Sequence, residues 1–418
     1  MSIFLFICLV VLCLAIFFEG IVNHSRIYQF PFWASAVFLG FIAVSLLGFL
    51  RVHYLPDWGL ERYIIMSILS MVAIWLGDDA ARREQIATHT PIEYDDKRWL
   101  IGSAALIFIG LAAYLKNCAL FQADFRMDTG TTVAVGFFVT LLRYGFIMAV
   151  IHFFKTKNYY SLALIAISGF YYFDRIVLAG RRQIMIELVF VVILSLWFVK
   201  RLLVPRTLVI TGVILFATLN FSTGTYRSIV VSRTGERDLA ELREVDWLAA
   251  ASETLPEGGS EVTAGIYYMA GVANEMAFDY GGKHWNSLVF NYVPAQIVGT
   301  EIKESLYLTL PDISLLAEKY YGYTANFGST VTGMVDCFGS FWYFGAMKFF
   351  VIAYVMQLLY RYSRNGNTLA LVLYLFMMTM ALHAITHSTG WFVSPWIHIT
   401  IFWLPVIYWS RKHSLKNG

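Results

Sequence analysis

Charge is scarce in this chain. Asp, Glu, Lys and Arg make up 14% of its 418 residues, while 58% are hydrophobic; ordinary soluble domains carry about 25% charged residues. The balance excludes a large soluble domain, because the apolar excess lies in runs of about 20 residues, the length that crosses ~30 Å of hydrocarbon. Cysteine is equally sparse. Cys8, Cys13, Cys118 and Cys337 show no CxxC spacing, and the first two fall inside one apolar run, so neither a disulfide framework nor a zinc site is indicated. The net charge is only +3 and no basic run exceeds three residues, which argues against a nucleic-acid partner. Carboxylates do not cluster as a DxD-type metal site would, and neither fixed-period repeats nor low-complexity tracts occur.

What is there is the pattern of an all-α polytopic membrane protein. About eleven transmembrane helices are predicted, at 3–22, 32–50, 59–77, 99–117, 130–154, 159–179, 184–200, 205–221, 338–360, 367–386 and 392–410. The first run lacks a basic flank and Glu19-Gly20 is a poor cleavage site, so it reads as a retained helix and not a secretory signal. The organisation expected is helices 1–8 over 1–221, one large polar loop over 222–330, and helices 9–11 over 331–418. One set of connections holds Arg26, Arg82, Arg83, Lys97, Arg98, Lys155, Lys157, Lys200, Arg201, Arg206, Arg361, Arg364, Arg411, Lys412 and Lys416. The short loops of the other set hold Arg51, Arg62, Lys116, Arg126, Arg175, Arg181 and Arg182. The more basic side should be cytoplasmic. That places the C-terminus inside and the large loop outside, in the periplasm of a Gram-negative cell.

The loop has helical patterning of its own. Residues 236–251 put Leu239, Leu242, Val245 and Leu248 or Ala249 on one face, and residues 263–280 do the same with Ile266, Met269, Ala273, Met276 and Ala277. The breaker cluster Pro256-Glu257-Gly258-Gly259-Ser260 separates them. Both helices are expected to lie along the membrane surface or to cap a cavity.

Several charges sit where a bilayer disfavours them. Arg175, Arg181 and Arg182 fall together in Phe-Asp-Arg-Ile-Val-Leu-Ala-Gly-Arg-Arg-Gln, on the translocated side. Guanidinium forks match phosphate oxygens, Gly180 lets a backbone approach, and the helix starting near Gln183 adds free N–H groups suited to an anion. Alternatively Asp174 pairs with Arg175 and the other two snorkel to headgroups. Arg143, in the middle of the fifth span, costs at least ~3 kcal/mol unless it faces protein or water. It holds an ion pair, with Asp174 or Glu187 as partner, or it lines a substrate cavity. Arg227 opens the large loop with Arg233 six residues on, and it serves either an anionic ligand or interfacial anchoring beside Tyr226.

His383 and His387 are four apart and share a helix face. HxxxH without the glutamate of the zinc-protease pattern points to packed histidines more than to a metal, although His387 offers a general base. Acidic candidates for that role are Glu275, Asp279 and Asp336. The segment leaving the loop carries Gly322, Gly328, Gly333, Gly339 and Gly345. Ser329 and Gly333 form a small-xxx-small pair, and the hydroxyl- and amide-rich stretch before the helix has the character of a re-entrant or cavity-lining segment.

The chain resembles the O-antigen or oligosaccharide repeat-unit polymerases (the Wzy type). The resemblance covers the whole architecture of about eleven spans with one long loop late in the chain. Locally it rests on Gly180-Arg181-Arg182, on Arg227, on Tyr292-Val293-Pro294-Ala295-Gln296, and on Asn326-Phe327-Gly328 with the glycines that follow. The related ligases carry a histidine after their large loop, and 326–339 has none. The resemblance implies an inner-membrane glycosyltransferase that joins undecaprenyl-diphosphate-linked repeats into O-antigen, capsule or exopolysaccharide. It needs no metal or other cofactor, and a flippase and a chain-length regulator of the same pathway are further implied partners. Arg181, Arg182 and Arg227 would stabilise the diphosphate leaving group, and His387, Glu275 or Asp279 would take the acceptor proton. Arg143, Arg175, Arg233, Tyr292 and Asn326 would bind substrate. The rival readings are an O-antigen ligase, and a flippase or transporter of the same lipid-linked oligosaccharide, for which paired broken helices would be expected.

Overall fold

The structure, a computed structural model, describes residues 2–50, 55–56, 58–86, 92–123, 131–215, 260–325 and 330–412. Among them every regular element is helical, and the sole strand-like pairing is an isolated bridge between Tyr94 and Arg411. The chain is an all-α polytopic membrane protein, with ten described helices long and apolar enough to cross a bilayer. They are α1 (Ser2–Val22), α2 (Phe30–Phe49), α3 (Gly59–Arg83), α4 (Asp96–Ala123), α5 (Thr131–Thr156), α6 (Tyr159–Leu178), α7 (Arg182–Lys200), a broken span at Gly333–Arg364, and two more at Thr368–Thr386 and Gly390–Trp409. Each matches a predicted span. The predicted eighth span is represented by the shorter apolar helix α8 (Arg206–Leu215), and residues 216–221 lie outside the described residues.

The loop contributes α9 (Ser260–Glu275), α10 (Gly282–Tyr292) and α11 (Ile313–Tyr321). The broken span consists of α12 (Gly333–Phe341), a 3₁₀ turn at Trp342–Ala346 and α13 (Met347–Arg364). It is followed by α14 (Thr368–Thr386) and α15 (Gly390–Trp409). The predicted start at 338 falls five residues late, because α12 begins at Gly333 and carries Asp336 in its first turn. A continuous helix stops at Trp342, whose φ is +56°. The chain there folds so closely on itself that a side chain at Gly345 would run into the Cys337 carbonyl, which leaves glycine as the residue that fits.

The chain divides into two compact units. The first comprises Met1–Glu84, Pro205–Leu358 and Met380–Ser394. In it α1 packs on α2 and α3, and α9 packs on α3, α11 and α12. Ile266 and Met269, from the predicted apolar stripe, are fully buried in α9 together with Val262, Ala264 and Ala270. Burial of one such Ile or Met contributes about 1.5–3 kcal/mol. The face of this helix is therefore covered by protein. The stripe also ends sooner than the predicted 280: the helix stops at Glu275, and Met276 turns left-handed at φ +52° and is exposed. The predicted helix at 236–251 lies outside the described residues. Close backbone approach governs the spans of this unit. A Cβ at Gly77 would meet the Phe350 carbonyl, and one at Gly333 the Ala384 carbonyl, so small residues let α3 touch α13 and α12 touch α14.

The second unit comprises Gln85–Val204, Leu359–Thr379 and Pro395–Gly418. Its centre is the α4–α5 pair, where Gly110 and Gly145 admit the facing backbone. Ser103 Oγ donates to the Gly145 carbonyl (2.7 Å), and Trp99 Nε1 donates to the Met148 carbonyl (3.0 Å). Polar groups buried at membrane depth are thus satisfied between helices.

Candidate functional site

The richest chemistry in the first unit surrounds Asp336. Its side chain is fully buried, and three other segments meet on it. From the turn before α15, the Thr389 amide donates to Asp336 Oδ2 at 2.9 Å and the Thr389 hydroxyl donates to the same oxygen. From α13, the Lys348 ammonium lies 3.6 Å away. From α10, His284 Nε2 lies 3.4 Å away. Lys348 Nζ also contacts His284 Nε2 (2.9 Å) and Ser340 Oγ (2.8 Å). An ammonium has donors and no acceptor, so in its contact with Nε2 Lys348 is the donor. A carboxylate and an ammonium removed from water together are tolerable because they neutralise one another and share hydrogen bonds.

Local sequence explains why these groups arrive. Gly281, at φ +83°, turns the chain into α10, and Asp279 Oδ1 accepts from its amide at 2.7 Å. That Asx turn presents His284 within the first turn of α10. A Cβ at Gly390 would come within 3.0 Å of His284 Nδ1, so glycine makes room for the ring. The Trp342 break returns the chain so that Lys348 of α13 reaches back to Asp336 of α12. Beside the cluster lies a cavity of about 290 Å³. Asp279, Lys283, Asp312 and Asp336 give it polar walls, and Leu310, Pro311, Val331 and Val335 give it apolar ones.

Asp312 is the N-cap of α11, accepting from the Ser314 and Leu315 amides. The Ser314 hydroxyl, then these amides and the Lys283 charge, hold its carboxyl below the usual aspartate range against an opposing effect of partial burial. A depressed folded-state pKa means stability that is present above the unfolded value of about 3.9 and is lost as pH falls through the folded value. Asp312→Ala should therefore lower stability by about 1 kcal/mol at pH 7. The gap to the parent protein should close below pH ~4, and Asp312→Asn should remove the pH dependence. Thermal unfolding midpoints in detergent between pH 7 and 3 check this.

The residues singled out in the sequence divide between the two units. In the first, Asp279 lines the cavity. Glu275 accepts from Lys319 and from the Tyr320 hydroxyl (2.8 Å), and Lys319 foremost, then Tyr320, pulls its pKa down. It fastens α9 to α11. Tyr292 donates to the Ser394 carbonyl at 2.6 Å, tying α10 to α15. His387 stacks on His383 with ring centroids 3.8 Å apart, as their spacing predicts, and Trp391 packs edge-on to His383.

In the second unit, Arg143 takes the ion-pair alternative. Its Nε donates to Glu187 Oε1 at 2.9 Å and its Nη2 to Oε2, and the Tyr172 hydroxyl donates to Oε1 at 2.9 Å. Arg175 lies over the Tyr114 ring at 4.9 Å, and Asp174 accepts from the Tyr114 hydroxyl. Gly180 adopts φ +58°, Arg181 is the N-cap residue of α7, and Arg182 is its first residue. The arginine pair therefore flanks a helix N-terminus, one residue ahead of the predicted start. Arg227, Arg233 and Asn326 lie outside the described residues.

His284, Lys348 and Thr389 had no place in the sequence reading. Lys348 carried the signal that was available, a lysine inside an apolar span with Asp336 twelve residues before it. Groups of His, Cys, Asp and Glu arranged to hold a metal are lacking among the described residues. Comparison with family models, curated proteins and solved structures finds no match.

Proposed function

We propose that the protein is a membrane glycosyltransferase that polymerises undecaprenyl-diphosphate-linked oligosaccharide repeat units at the outer face of the bacterial inner membrane. The observation that carries this reading is the Asp336 cluster. A helix of the large loop, α10, is tied through His284 to charged groups of a broken span, next to a cavity with polar and apolar walls. Charged residues within membrane spans often mark substrate or ion pathways, and this one is joined to a helix of the loop.

In this reaction a hydroxyl oxygen of the acceptor repeat attacks the anomeric carbon of the donor glycan. The bond from that carbon to the diphosphate oxygen breaks with its electron pair, and the hydroxyl proton passes to a base. Arg181 and Arg182, at the positive end of α7, are suited to the charge that develops on the leaving diphosphate. Arg227 retains the role that its sequence position suggests. The base candidates are His387, Glu275 and Asp279, of which Asp279 lines the cavity of the first unit.

A deletion strain should lose long surface polysaccharide and keep a single repeat. Complementation with Arg181→Ala or Arg182→Ala should leave chain extension at least ~100-fold down, the scale for removing a donor to developing charge, at normal membrane levels. Full-length chains from both variants would remove the diphosphate clamp. Repeats trapped in the cytoplasmic leaflet of the deletion strain would instead make the protein a flippase.

A further inference from the structure

The second unit holds a groove that neither its ion pair nor its arginine cluster uses. It lies between α5, α6 and α7, three helices long and apolar enough to cross a bilayer. α6 and α7 each pack on α5 and have little contact with one another, so their facing sides stay apart. Phe153 and Phe154 of α5, Gly169 of α6, and Leu188 and Val192 of α7 line the space, whose volume is about 460 Å³. It follows α6 from Leu162 to Val177, roughly 20 Å at the helical rise and about two thirds of the ~30 Å hydrocarbon thickness. Leu162 and Val177 are both exposed, so the groove opens outward from the three helices.

Its walls offer nothing to a hydrated ligand. Among the described residues that line it, Tyr172 alone has a polar side chain, and its hydroxyl is turned away to Glu187 Oε1 (2.9 Å). A water in a cavity needs about two to four polar partners, so an apolar groove at bilayer depth is filled by a hydrocarbon chain. Gly169 supports the same conclusion. It stands inside α6, where glycine is the poorest helix former after proline. No atom of another helix among the described residues comes within 4 Å of where its Cβ would be. Helix packing therefore does not require this glycine, and the missing side chain keeps the groove continuous. The third observation is Lys157. It ends α5 in a left-handed conformation, φ +58°, where glycine or asparagine is usual. Its ammonium lies 5.1 and 5.7 Å from the ring centroids of Phe153 and Phe154, two of the groove's own lining residues, and the residue is exposed. Neighbouring Lys155 is instead bonded to Thr368 (2.9 Å). Tyr159 and Tyr160 beside it are exposed, as aromatic residues are at the headgroup level.

We infer that this groove is a binding site for an acyl chain of an anionic phospholipid, whose phosphate meets Lys157 at the α5–α6 turn. A lipid tail gains no hydrophobic energy by leaving other tails for an apolar groove, so the chain supplies fit and the headgroup supplies selection. The polar end of the lipid belongs at this turn because the ammonium there stands on the lining rings. Arg175, near the other end, lies over Tyr114, which does not line the groove. Lysines next to a span are also what anionic headgroups favour.

Native mass spectrometry of the purified full-length protein tests this. The probe is dioleoyl phosphatidylglycerol, and the control is dioleoyl phosphatidylcholine, which has the same chains and no net charge. The parent should hold one phosphatidylglycerol with about fivefold preference over phosphatidylcholine, the scale for one lysine at an anionic surface. Lys157→Gln should abolish that preference and leave phosphatidylcholine binding as it was. Gly169→Leu, whose side chain enters the groove, should weaken both lipids by at least ~tenfold, with an unfolding midpoint in detergent at or above the parent's. Equal binding of the two lipids by the parent, or a preference that survives in Lys157→Gln, overturns the headgroup contact. Parent-like affinity in Gly169→Leu overturns the groove as the site. A polyprenyl phosphate that displaces phosphatidylglycerol at equal concentration overturns the phospholipid as its occupant.

Discussion

Replacing Lys348 by methionine should destabilise the protein by about 3–5 kcal/mol, the cost of leaving one member of a buried ion pair without the other. Methionine keeps the volume and removes the charge. Asp336 would then sit in a fully buried environment with the two Thr389 donors and without the ammonium that neutralises it. Ser340 Oγ and His284 Nε2 would lose their shared donor as well. The loss should fall first on the attachment of α10, because His284 is its contact with the cluster. Unfolding midpoints in detergent, with proteolysis of the loop as a second readout, measure it. The double variant Lys348→Met/Asp336→Asn should recover most of the loss, because the asparagine carbonyl still accepts from Thr389 and no charge remains. A single variant as stable as the parent would show that Lys348 does not neutralise Asp336.

Arg143→Met should have a comparable effect in the other unit, again about 3–5 kcal/mol. Glu187 is fully buried in α7 and receives two guanidinium bonds and the Tyr172 hydroxyl. Without the arginine, one neutral donor is left to serve a carboxylate at bilayer depth. Arg143→Met/Glu187→Gln should return to within about 1 kcal/mol of the parent, since a neutral, packed substitute for a buried pair is often no worse than the pair. Glutamine also keeps an acceptor for Tyr172. Glu187→Gln alone should be the milder single change, because the amide oxygen still accepts from one guanidinium N–H. If both single variants and the double unfold at the same midpoint, the pair contributes nothing and Arg143 is open to another role.

The difference between these two sites shows what a sequence can and cannot reveal about this protein. Arg143 and Glu187 stand in long apolar runs, where a charge has to find an opposite charge, so the pair could be listed among two alternatives before any geometry was known. The spans themselves follow from hydrophobic length in the same way. The Asp336 cluster is different in kind. Its members come from a loop helix, a broken span and a turn, with His284 and Thr389 separated by 105 positions, and no local pattern joins them. The break that brings Lys348 back to Asp336 is at a tryptophan with positive φ, a residue type that gives no warning of such a conformation. Gly345 carries part of the message, but glycine in a membrane helix has many uses. Glu275 shows the same limit: its acidic character near the end of an amphipathic stretch is legible, and its tie to Lys319 on the neighbouring helix is not.

The Thr389 cap on Asp336 also sets an order of assembly during synthesis. Asp336 leaves the ribosome 53 residues before the two donors that hold its Oδ2, with all of α13 and α14 still to follow. His284 is already made by then. Until α14 has been inserted and has turned into α15, the cation beside Asp336 among the described residues is Lys348 of the next segment. Asp336 and Lys348 should therefore enter the bilayer as a pair, with the Thr389 donors closing on the carboxylate only once α14 has been delivered.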